Sequence, residues 1–141
     1  MIPNINLLME NITDITYPSR TYKIVIKDEE IDKPERQDRI KGYTDDLDAI
    51  KQAIYLILST ERYAHIIYSW DFGVELANLF GKPMTYVMSE LPRRITEALT
   101  QDDRIEDVID FEFERNGKKL HTTFTAVTTA GNIPTELEVE V

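Results

Sequence analysis

Hydrophobic residues change their spacing twice along this chain, dividing it into a strand-forming start, a helical middle and a strand-forming end. From Thr21 to Lys27, Tyr22, Ile24 and Ile26 fall on one side and Lys23 and Lys27 on the other. A period of two is the signature of a half-buried strand. Asp28 to Asp38 is a charged loop containing Pro34, and Arg39 to Tyr43 reads as a second short strand pairing with the first. Ahead of both, residues 1–20 hold no sustained period and end near Tyr17-Pro18-Ser19. They are expected to form an arm, only partly ordered when alone, with residues 21–141 as one domain.

The period then lengthens. Thr44-Asp45-Asp46 offers side-chain oxygens to cap free amides and acids to meet the positive end of a helix. Leu47, Ile50, Ile54, Ile57 and Leu58 recur at helical spacing, with Asp48, Lys51 and Gln52 turned to water. Ser59 and Thr60 close this first helix, and Ala64 to Ser69 reads as a β-type segment. A second helix is expected from about Gly73 to Phe80, stopped by Gly81-Lys82-Pro83. The third carries Met84, Val87, Met88, Leu91, Ile95 and Leu99 on one stripe, and Pro92 should force a kink or a restart within it.

The last third returns to a period of two. Ile109, Phe111 and Phe113 alternate with Asp110, Glu112 and Glu114, and Asn116-Gly117 reads as a two-residue hairpin turn. Leu120, Thr122, Phe124 and Ala126 line one face of the return strand. Gly131-Asn132-Ile133-Pro134 reads as another turn, and Thr135 to Val141 alternates again. The expectation is therefore an α+β domain: N-terminal strands, three helices, then an antiparallel β-meander.

Composition narrows the function classes. At 141 residues, with 42% hydrophobic and 30% charged residues, the chain can bury a core and is not disordered in kind. A net charge of −10 argues against duplex nucleic acid, whose phosphates require clustered Lys and Arg. No apolar run approaches the roughly 18 residues of a membrane span, and Met1-Ile2-Pro3-Asn4 lacks the basic start of a signal peptide. The absence of cysteine excludes disulfides, thiolate catalysis and Cys-based zinc sites, and fits synthesis in a cytosol. His65 and His121 have no second ligand at metal spacing.

Two groupings carry candidate chemistry. Glu61-Arg62 sits between Tyr55 to Leu58 on one side and Tyr63 and Ile66 to Tyr68 on the other. An arginine in apolar surroundings needs a carboxylate or carbonyl partner, so the pair is either a solvated helix end, a buried brace or a partner contact. Tyr68, Trp70 and Phe72 read as core and interface packing around Gly73 rather than a ligand platform, because no polar set accompanies them. Gly73 itself reads as a backbone requirement.

Gly42, Ala49-Ile50-Lys51-Gln52-Ala53-Ile54, Thr60-Glu61-Arg62-Tyr63, Tyr68-Ser69 through Asp71-Phe72-Gly73, and Asp103-Arg104-Ile105 occur in this order ahead of the meander. The set resembles the inner-baseplate wedge and sheath-initiator proteins of contractile phage tails, in the variety of Gram-positive prophages and tail-like bacteriocins. The resemblance extends more distantly to lysozyme-like wedge proteins and covers about Tyr22 to Val141. One departure stands out: the better-known form has a proline between the acid and the arginine, whereas here Glu61 and Arg62 are adjacent.

The resemblance implies a structural protein of the virion or particle baseplate, made and assembled in the bacterial host cytoplasm. It would bind a larger wedge subunit and start the tail sheath, with tube or hub proteins as further neighbours. It assigns Glu61, Arg62, Tyr63, Tyr68, Asp71, Phe72 and Gly73 to the wedge core. Sheath docking falls to the terminal strand, whose Leu137, Val139 and Val141 pack inward while its edge stays open. No cofactor, metal or catalytic residue is expected. The rival readings are a small tail-associated peptidoglycan hydrolase, with an acid pair such as Glu61 and Asp71, and an acidic inhibitory binding module.

Overall fold

The computed structural model describes residues 18–24 and 40–141. The arm expected over residues 1–20 lies almost wholly outside them, as do the loop from Asp28 to Asp38 and the end of the first strand beyond Ile24.

Strand β1 (Thr21–Ile24) pairs antiparallel with β2 (Ile40–Thr44). The side chain of Gln52 ties this ribbon to the helix that follows. Its Oε1 accepts from the Ile24 amide at 2.9 Å and its Nε2 donates to the Tyr22 carbonyl at 2.8 Å, so the side-chain amide occupies the strand edge as a neighbouring backbone would.

Helix α1 (Asp46–Leu58) begins where expected, with the Asp45 carboxylate accepting from the Asp46 amide and Asp46 and Asp48 in its first turn. Ala49, Ile50, Ile54, Ile57 and Leu58 are buried. Helix α2 (Met84–Leu99) buries Val87, Leu91, Ile95, Ala98 and Leu99. Pro92 withholds a donor from the Met88 carbonyl, yet the helix does not restart there. Leu91 and Ile95, fully buried on either side, hold the stripe in one helical frame against a local cost of about 3 kcal/mol.

The expected helix from Gly73 to Phe80 does not form. Only Ala77–Leu79 makes a single 3-10 turn, so the described residues contain two α-helices rather than three. The amides that would have begun the helix bond elsewhere: Val74 donates to the Thr60 carbonyl, and Leu76 and Ala77 donate to the Glu61 carboxylate. Likewise, Ala64 to Ser69 is a run of turns, not a strand, and no partner strand meets it among the described residues.

Strands β3 (Ile105–Asn116), β4 (Lys119–Thr128) and β5 (Gly131–Glu140) form an antiparallel meander in that order. On β4 the even positions Leu120, Thr122, Phe124, Ala126 and Thr128 are buried, as the spacing predicts. Strand β3 departs from simple alternation. An extra residue between Ile109 and Glu112, with Asp110 at φ 58°, bulges the strand. Ile109 is thereby turned to the outer face beside Thr125, while Phe111 stacks on Phe124 at 5.4 Å in the core. The turns shift too. Asn116 pairs with Lys119, so the turn is Gly117-Lys118, with positive φ on Gly117 and not on Asn116. Gly131-Asn132-Ile133-Pro134 lies within β5, and Thr129-Ala130 makes that turn instead. One hydrophobic cluster joins α1, α2 and the inner face of β3–β5.

Candidate functional site

The segment between α1 and α2 is a loop whose ends are brought together by backbone pairing. Glu61 forms a parallel bridge with Val74, the Val74 amide donates to the Thr60 carbonyl at 3.0 Å, and the Arg62 amide donates to the Val74 carbonyl at 3.1 Å. This close approach explains Gly73. Its φ is +99°, and a Cβ there would stand 2.7 Å from the Thr60 carbonyl oxygen and 3.0 Å from the Arg62 nitrogen.

Both members of the Glu61-Arg62 pair serve this neck. The Glu61 carboxylate accepts from Leu76 at 3.1 Å and from Ala77 at 3.2 Å, placing negative charge on the free amides ahead of the 3-10 turn. Arg62 turns the other way, its Nε donating to the Gly73 carbonyl at 3.3 Å and its Nη1 to Glu97 of α2 at 3.1 Å. With its side chain only 9% exposed, Arg62 links the neck to α2 rather than projecting into solvent. Of the three roles left open for the pair, the brace is the one these bonds describe.

Beyond the neck the loop turns apolar groups outward. Tyr63 sits at φ 66°, a conformation costing a bulky residue about 1–3 kcal/mol, and is held there by bonds on both sides. Its ring meets Trp70 edge-on, with 6.4 Å between centroids, and Tyr68 stacks on Phe72 at 4.6 Å. Ile66 and Ile67 are 104% and 87% exposed and Trp70 is 81% exposed, while Asp71 also faces solvent. Of the three aromatics read as core and interface packing, only Phe72, half-buried, reaches the core cluster, and Trp70 lies on the surface. Sequence reasoning also read Ile66 and Ile67 as strand residues. Their adjacency, with no alternation between them, was the signal that they do not share a buried face.

Strand β5 is the second surface. Val139 is buried and Leu137 and Val141 are half-buried against the core. Among the described residues no strand pairs with its outer edge. The Asp103-Arg104-Ile105 motif leads into β3 and is locally tied: Arg104 forms two side-chain bonds to Asp102, at 2.9 and 2.6 Å. Burial pushes the Asp102 carboxyl upward, but its bonds to the Arg104 side chain and backbone outweigh this and hold it below its usual range. No group of three or more His, Cys, Asp and Glu converges among the described residues, and no helix there is long and apolar enough to cross a membrane.

The braced loop exposes aromatic and aliphatic side chains and, among the described residues, the sheet keeps an unpaired edge; both are surfaces suited to contact with another protein. The family model for the contractile injection system sheath initiator matches residues 18–131. Over 127 residues the chain is 39% identical to the phage-like element PBSX protein XkdS of Bacillus subtilis (strain 168), which spans 88% of this chain and 84% of that protein. The chain belongs to the contractile injection system sheath initiator family. It is a structural component of a contractile phage tail or tail-like particle, of baseplate type, and not an enzyme. The hydrolase alternative falls with that assignment, and both Glu61 oxygens are in any case engaged by backbone amides, Oε2 by Leu76 and Oε1 by Ala77.

Proposed function

We propose that this chain sits in the inner baseplate, docks on a larger wedge subunit through the loop over residues 63–72, and offers β5 as the first edge on which sheath assembles. The observation that carries this reading is the exposure of Ile66, Ile67 and Trp70 on a loop whose neck is braced. Monomeric proteins seldom leave large apolar side chains clustered in water, and an interface that buries them gains most from its aromatic members. In this reading Glu61, Arg62 and Gly73 hold the loop's shape. Tyr63, Tyr68, Asp71 and Phe72 make or back the wedge contact with Trp70, and Leu137, Val139 and Val141 keep the sheath edge on the core.

The test is co-purification of the full chain with the wedge subunit of its own particle. Trp70→Ala should leave the far-UV circular dichroism and melting temperature near wild type while weakening capture at least about thirty-fold, the scale of an interface anchor. Ile66→Ser with Ile67→Ser should do the same by a second route. If both variants are captured at wild-type strength, the loop is not the wedge contact.

A further inference from the structure

The outer edge of β5 has a phase that can be read from its inner bonds. In an antiparallel pair, residues alternate between turning both backbone groups to the partner and turning both away. The Val141 amide donates to the Lys118 carbonyl at 2.8 Å, so the odd-numbered residues of β5 face β4. The even-numbered residues, Asn132, Pro134, Glu136, Glu138 and Glu140, turn their backbone groups to the open edge. Pro134 fits this phase, since its missing amide would otherwise have broken a bond within the sheet. It also interrupts the row of donors, leaving Glu136, Glu138 and Glu140 as the unbroken run.

The two faces flanking that run differ in chemistry. The side chains of Glu136, Glu138 and Glu140 are all exposed on the outer face; Glu138 pairs with Lys119 at 2.6 Å, Glu136 stands 3.6 Å from His121 Nε2, and Glu140 has no ion-pair partner among the described residues. On the inner face a groove of about 390 Å³ lies between β5 and α1, with Ile54, Tyr55 and Leu58 on the helix side and Ile133 and Leu137 on the strand side. A second copy of this chain is a poor occupant, because pairing two such edges antiparallel sets Glu138 against Glu138 and Glu136 against Glu140 on one face.

We infer that the segment received by β5 is a strand from another protein, alternating basic and apolar residues, in register with Glu136, Glu138 and Glu140. Its basic side chains lie over the glutamates and its apolar ones enter the groove beside Leu137 and Tyr55. The inference rests on the sheath-docking reading of β5 and specifies the chemistry of what docks there.

Amide hydrogen exchange on the full chain, with three probes, separates the two claims. The particle's own sheath subunit should slow exchange at Glu136, Glu138 and Glu140 but not at Asn132. A capped peptide alternating lysine and valine should do likewise, while one alternating glutamate and valine should not. Charge reversal by Glu136→Lys with Glu140→Lys leaves the Lys119–Glu138 pair in place at exposed positions, and should weaken both the sheath and lysine–valine probes at least ten-fold. Sheath protection of β5 that survives this reversal overturns the inferred chemistry and leaves the docking edge standing. If the lysine–valine peptide protects the edge and sheath does not, the chemistry stands and sheath is the wrong partner. Protection by neither probe overturns both claims. Concentration-dependent dimerisation of the wild-type chain with these amides protected identifies a second copy as the occupant and overturns the inference.

Discussion

Among the described residues the 63–72 loop and the outer edge of β5 are both open surfaces, but they are built on opposite principles. The loop is closed at its neck by backbone pairing, at the bridge between Glu61 and Val74, and turns apolar side chains outward. The β5 edge keeps apolar side chains inside and leaves backbone groups and carboxylates outside. Recognition at the loop therefore depends on shape and buried apolar area, and should respond little to salt. Recognition at the edge depends on main-chain pairing and charge, and should weaken as salt rises. The edge strand also belongs to the core through Val139, so removing residues 135–141 would test stability and docking together. Substitutions at the exposed glutamates separate them.

The difference can be broken most severely at the neck. Gly73→Ala puts a methyl group 2.7 Å from the Thr60 carbonyl in a left-handed conformation, and should cost about 3 kcal/mol in chemical denaturation. Unchanged stability would mean that the close approach relaxes freely. Arg62→Ala should cost less, about 1–2 kcal/mol. It leaves Glu97 and the Gly73 carbonyl without this donor, but Glu97 is half exposed and recovers water. Its effect on wedge capture should follow loop distortion, so amide shifts confined to residues 61–76 are the expected nuclear magnetic resonance signature. Shifts spread through β3–β5 would contradict a local brace.

On the sheet side the effects are smaller and one has the opposite sign. Thr122 Oγ1 is fully buried without a hydrogen-bond partner among the described residues. Thr122→Val replaces that hydroxyl with a methyl group of similar shape and should stabilise the fold by about 0.5–1 kcal/mol, seen as a higher denaturation midpoint. A loss of stability would reveal a partner for the hydroxyl. The smallest effect expected is that of the Asp102–Arg104 pair. Because folding lowers the Asp102 pKa, the unfolded chain binds the proton more readily in acid. Its contribution is present above the ordinary carboxylate pKa of about 4 and is lost as pH falls through the lowered value. Asp102→Asn should therefore narrow the stability difference between neutral and acid conditions by a few tenths of a kcal/mol, given partial exposure. An unchanged pH profile would show the pair to be neutral.

The sequence by itself determined the elements whose side chains repeat: α1, α2, β4 and the alternation of β5. In these a single period, sustained along the element, outweighs local exceptions such as Pro92. It also contained the motif order that resembles the sheath initiators, and the family match bears that resemblance out. The importance of Glu61, Arg62 and Gly73 was legible, but not the direction in which each side chain points. Only the tertiary structure decided that Glu61 takes the Leu76 and Ala77 amides, which is why no α-helix begins at Gly73. It also decided that the bulge at Asp110 turns Ile109 outward, that the hairpin turns sit at Gly117-Lys118 and Thr129-Ala130, and that Ile66, Ile67 and Trp70 face solvent. The physical reason is common to all of these. Periodicity reports which face of an element is apolar, whereas a loop, a bulge or a turn is settled by where its backbone hydrogen bonds find partners, and those partners lie far away in sequence or across the sheet.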